Sequence, residues 1–147
     1  MLNVSDDVII KTVARVLIPF IQIYALYVIM HGHYSPGGGF QGGVILSASL
    51  VLYLITHGLE ETNKIIPEKS VIILSSIGVL IYLGIGILCM VLMGNFLDYE
   101  KLNLLIDVSP AQARSFGILG IEIGVGLAVM TVMYSIFYNI VLNNKNN

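Results

Sequence analysis

Charge is scarce in this sequence. Asp, Glu, Lys and Arg make up 11% of its 147 residues, against about a quarter in soluble domains, which excludes an ordinary water-facing surface. Its single cysteine, Cys89, excludes an internal disulfide, and no Cys/His cluster has zinc spacing, so no metal site is expected. A net charge of −2 leaves no basic footprint for nucleic acid and no acidic tail. There is no activated Ser or Cys arrangement and no ligand set for a redox cofactor, so the expectation is a chain that is not itself an enzyme and carries no cofactor.

What the sequence has in abundance is apolar residues: 56% are hydrophobic, and the mean hydropathy is +0.89. The class is an all-α integral membrane protein, a single domain over 1–147 with four transmembrane helices. The apolar runs place them at about 8–30, 40–57, 70–94 and 116–142, each long enough at about 1.5 Å per residue to cross a hydrocarbon core of roughly 30 Å. The first run is too long for a signal peptide and lacks a small-residue cleavage site, so no removable leader is expected. Pro19 sits inside it and is expected to kink it. His57 and Gly58 are read as the end of the second span, followed by a charged connection over 60–69. A longer polar segment over 95–115 carries Asp98, Glu100, Lys101, Asp107 and Arg114.

Four spans put both termini on one side. Lys11, Arg15, Lys64, Lys69 and Lys145 lie with them, and only Lys101 and Arg114 lie opposite. The basic bias therefore predicts cytoplasmic termini in the cell membrane.

One stretch is explained by neither composition nor periodicity. His31-Gly32-His33-Tyr34-Ser35-Pro36-Gly37-Gly38-Gly39-Phe40-Gln41-Gly42-Gly43 holds six glycines and a proline between two apolar runs. Such a backbone turns sharply or approaches another group closely. It lacks the Lys-Ser/Thr ending and preceding strand of a phosphate cradle. His31 and His33 could present two imidazoles, but no third metal ligand is nearby. Two readings stay open: backbone amides at the following helix start that bind an anion or a neighbouring carboxylate, and a compact turn packed against another subunit.

Glu122 is the outstanding polar residue within a span. An acid at that depth costs on the order of 2 kcal/mol or more unless it is paired, hydrated or protonated, which makes it a candidate for ion translocation; the bland reading is an interfacial anchor. Gly117, Gly120 and Gly124 fall on the opposite helix face and suit close helix packing. The carboxylate should point toward the sector of Ser115, Leu119 and Gly126. Counting back from Met30 puts Gln22 within about 3 Å of the same depth, a second candidate for the ion path. Lys11 and Arg15 read as snorkelling residues or as a cationic lining.

His31-Gly32-His33 followed by the unbroken run from Ser35 to Gly43 resembles the signature of the MnhB (MrpB) family, one of the membrane components of multisubunit Na+/H+ antiporters of the Mrp (Mnh) type. Related chains occur in archaeal membrane-bound hydrogenase-type complexes. Ile121-Glu122-Ile123-Gly124-Val125-Gly126 is similar to the family's acidic-Ile-Gly-Val pattern, which in bacterial antiporters usually carries Asp. Glu122 in that place, with Gly126 where a larger residue is common, points toward the hydrogenase-type or archaeal branch. The resemblance covers nearly the whole chain and implies an obligate place among other membrane subunits, with Na+ and H+ as the ions moved. His31, His33, Pro36, Gly37, Gly38, Gly39, Gln41, Gly42 and Gly43 would shape the loop or contact a neighbour. Three functional classes follow: a subunit contributing to cation/proton translocation, a purely structural packing subunit, and a small self-contained transporter.

Overall fold

The computed structural model describes residues 8–34 and 37–146. The described residues form helices and no strands: α1 (Val8–Met30), α2 (Gly39–Ile65), α3 (Glu68–Val91), a 3-10 turn (Tyr99–Leu102), α4 (Asn103–Ile106) and α5 (Pro110–Asn146). Four of these are long and apolar enough to cross a membrane. α5 is the central helix, packed against both α2 and α3, while α1 leans mainly on α2. Little of the surface is hidden. Ile23, Phe20, Leu80 and Val91 are among many large apolar side chains left outside, as expected of helices whose solvent is lipid or a neighbouring membrane chain.

Helix boundaries differ from the sequence expectation at several points. α2 does not end at His57 and Gly58. Gly58 adopts φ 82, ψ 169 and bends the helix, a backbone state open essentially to glycine, after which the chain resumes helical turns to Ile65. Glu60, Glu61 and Lys64 are good helix formers on its exposed side. Pro67, which has no N–H to give, is the true stop, and its carbonyl accepts from Ser70 and Val71 as α3 begins.

α3 ends at Val91 and not Gly94, because Met93 enters the left-handed region at φ 63 and the Gly94 N–H returns to the Cys89 carbonyl at 3.1 Å. α5 begins at Pro110, six residues before the apolar run. Ser109 and Gln112 bond reciprocally, Ser109 N–H to Gln112 Oε1 at 3.3 Å and Gln112 N–H to Ser109 Oγ at 3.4 Å. This is a capping box with proline at the first helical position. α1 is continuous through Pro19, and within α2 the backbone dihedrals leave the helical range at Gly58.

The helices are staggered along the bundle axis, and glycines report the stagger. Ile29 of α1 meets Gly42 of α2 and Gly126 of α5, while Gly78 of α3 meets Gly124. The end of α1 is therefore level with the middle of α3, which continues to Val91, about 20 Å further. α5 has 37 residues and spans roughly 55 Å, enough to follow both pairs. Two clusters fill the ends. Leu54, Val71, Tyr134 and Tyr138 pack toward the termini. Cys89, Leu102 and Ala113 pack under the 3-10 turn at the opposite end, where Arg114 forms an ion pair with Glu100.

Candidate functional site

The glycine-rich loop and Glu122 form one site. A methyl group on Gly32 would collide with both Glu122 carboxylate oxygens, and one on Gly38 would stand 2.8 Å from Oε1. A methyl on Gly39 would strike the Glu122 backbone carbonyl and lie 2.9 Å from its Cα. At Gly39 the obstacle is backbone, so only hydrogen fits there and the start of α2 sits directly on α5, while at Gly32 and Gly38 it is the end of the Glu122 side chain that occupies the space. Gly38 flanks that start, with no side-chain cap. The positive end of the α2 dipole accordingly faces the carboxylate.

Within this contact Glu122 Oε2 is buried with no hydrogen-bond partner, and so is Nδ1 of His33. The His33 ring lies in electrostatic range of the carboxylate and is tilted against Tyr34 at 4.1 Å. Buried polar atoms are nearly always paired, so these two set Glu122 and His33 apart from the rest of the bundle. His31 is held apart from them. Its Nδ1 pairs with the Tyr27 carbonyl at 3.0 Å, and its ring stacks on Tyr27 at 4.1 Å.

The remaining sequence candidates separate into distinct roles. Gly37 leaves room for the Gln41 side chain, which is exposed. Gly42 admits Ile29, and Gly43 admits the backbone of Gly126, with a methyl placed 2.7 Å from the Gly126 carbonyl oxygen. Gly117, Gly120 and Gly124 lie against Tyr99, Ile85 and Gly78, on the α3 side of α5, while Glu122 and Gly126 face the loop and α1. Pro36 lies outside the described residues. Among the described residues no group of His, Cys, Asp and Glu has the arrangement to hold a metal ion.

Gln22 is not brought to Glu122. Because Ile29 is level with Gly126, Gln22 lies about 10 Å toward the termini and Glu122 about 6 Å the other way, roughly 16 Å apart along the axis. The depth match inferred from Met30 fails because the stagger ends α1 halfway along α3 rather than at a common boundary. Gly32 is absent from the sequence candidates although it touches the carboxylate; its place between two histidines is the signal that marks it. Another unpaired buried oxygen, the Tyr134 hydroxyl, belongs to the cluster near the termini and lies about 18 Å along α5 from Glu122.

Residues 9–135 match a family model described as a domain related to the MnhB subunit of Na+/H+ antiporter. The chain is 29% identical over 140 residues to an Na(+)/H(+) antiporter subunit of Bacillus subtilis (strain 168), covering 92% of this chain and 94% of that one. It is 33% identical over 138 residues to the putative antiporter subunit mnhB2 of Staphylococcus aureus (strain Newman), covering 90% and 95% respectively.

Proposed function

Since this chain belongs to the family of MnhB-related subunits of Na+/H+ antiporters, we propose that it works within a multisubunit complex of the cell membrane, and that Glu122 takes part in cation or proton transfer there. The observation that carries this reading is the buried, unpartnered Oε2 of Glu122 under the loop, with His33, whose Nδ1 is also buried and unpartnered, in electrostatic range. A carboxyl group that merely anchored a helix at the interface would reach solvent or a fixed donor. This one lies against Gly32 and Gly38, where its own oxygens fill the space that a side chain would take.

The role of the chain is that of a transport subunit. The other membrane subunits are its partners, Na+ and H+ are the ions moved, and the termini are cytoplasmic by the basic-residue bias. An assembly of the hydrogenase type is the second reading, favoured by Glu122 in place of Asp and by Gly126. Gln22 has no part in this proposal, because of its distance from Glu122 along the bundle.

The test is Glu122→Gln in the assembled complex, in sealed vesicles, with assembly checked by co-purification. The expected result is normal assembly with loss of sodium-dependent proton exchange. Normal exchange with normal assembly would leave the chain a packing subunit.

A further inference from the structure

Glu122 is open to polar groups on one side and sealed on the other. Toward the connection between α3 and α5 it meets Gly32 and Gly38 and has the His33 ring in electrostatic range, and His31, Tyr34 and Gln41 are exposed on the same loop and helix start. That loop is level with the middle of α3. Irregular backbone inside a bilayer is tolerated only where protein covers it or water reaches it, and polar side chains such as these suit contact with water.

Toward the termini the next turn of the bundle is closed by backbone. A methyl on Gly43 would stand 2.7 Å from the Gly126 carbonyl oxygen, one on Gly42 2.9 Å from that of Ala25, and one on Gly78 2.6 Å from that of Gly124. α2 thus touches α5, α1 touches α2 and α3 touches α5 within one layer. Below it Ser49 is fully buried, and Ser47 and Thr131 are each 3% exposed. Three of the hydroxyls below it are engaged with carbonyls of their own helices, Ser49 with Leu46 at 2.7 Å, Thr131 with Leu127 at 2.8 Å and Thr56 with Leu52 at 2.9 Å.

We propose that this subunit supplies half of a translocation route. An aqueous vestibule descends from the side of the α3–α5 connection to Glu122 and ends there on the glycine layer. An ion or proton then leaves Glu122 sideways into a neighbouring subunit, not along this bundle. The inference rests on the role proposed for Glu122, but its test does not depend on transport.

Single cysteines are placed in the intact complex at Tyr34 and Gln41, above the layer, and at Ser47 and Thr131, below it. Asn143→Cys marks the side of the termini. The complex without an added cysteine is the blank, because Cys89 is fully buried. A membrane-impermeant cationic methanethiosulfonate is applied to sealed vesicles of each orientation, and labelling is read by mass spectrometry. Tyr34→Cys and Gln41→Cys are expected to react only from the side opposite Asn143→Cys, with Ser47→Cys and Thr131→Cys silent from both sides.

Labelling of Ser47→Cys or Thr131→Cys from the side of the termini would overturn the seal. Silence of both Tyr34→Cys and Gln41→Cys from either side would overturn the vestibule and indicate a loop covered by a partner. Should Ser47→Cys fail to assemble, Thr131→Cys and Ala128→Cys carry that arm. The labelling pattern is read whether or not the complex transports, so its failure is distinguishable from a normal Glu122→Gln variant.

Discussion

Replacing Gly43 with alanine measures how tightly the layer beneath Glu122 is closed. The added carbon would lie 2.7 Å from the Gly126 carbonyl oxygen, 2.9 Å from Val129 Cβ and 3.2 Å from Gly126 Cα, where carbon contacts settle at about 3.5–4.0 Å. Two of the three atoms are backbone, so no side chain can rotate away and α2 must separate from α5 by several tenths of an ångström. Overpacking of this kind costs about 1–3 kcal/mol.

Alanine in a helix also gains about 1 kcal/mol over glycine in intrinsic propensity, which would mask part of that cost. Gly84 supplies the correction: it is helical in α3, and a methyl there meets nothing within 4 Å. Gly84→Ala therefore registers the propensity gain alone, and the difference between the variants is the packing cost. The assay is unfolding of the purified chain in mixed micelles with increasing dodecyl sulfate, followed by circular dichroism. Gly43→Ala is expected to be less stable than Gly84→Ala by about 1–3 kcal/mol; equal midpoints would refute the close helix contact.

Other expectations follow from single positions. Gly58→Ala forces a side chain into φ 82, ψ 169 and should cost about 1–3 kcal/mol in the same unfolding assay, where an unchanged midpoint would show that the bend does not need glycine. Met93, 95% exposed with φ 63, carries a left-handed penalty without packing in return, so Met93→Gly should raise stability by about 1 kcal/mol; a loss would mean that its side chain is used. At Glu100 the hydrogen bond from Arg114 holds the carboxyl below its ordinary range. The lowered folded value means that its contribution to stability is present above the unfolded value and is lost as pH falls through the folded one. Because both groups are solvent-exposed, the effect is small. Glu100→Gln should flatten the acid limb of the stability–pH curve, and an identical acid limb would show that the pair is idle.

Much of the architecture was legible because lipid imposes a coarse rule. A segment of some twenty apolar residues has few options other than a spanning helix, so four spans follow from hydropathy. Boundaries were less legible where apolar content and helix chemistry part company. Glu60 and Lys64 look like a loop to a hydropathy count but are good helix formers, and α2 runs on until Pro67 stops it. Ser109-Pro110-Ala111-Gln112 is a readable helix start, yet it lies outside the apolar run and α5 begins there all the same.

Composition and order alone determined the membrane class, the glycine-rich loop, and Glu122 as an acid in an apolar helix. These are properties of single segments, set by the cost of placing polar groups in lipid. The tertiary structure decided which segments meet. The stagger separates Gln22 from Glu122 and sets the loop on Glu122, with Gly32 and Gly38 against the carboxylate and Gly39 against its backbone. The axial offset of one helix against another comes from how side chains and bare glycine backbone interlock across the bundle, and no count of residues within one helix contains it.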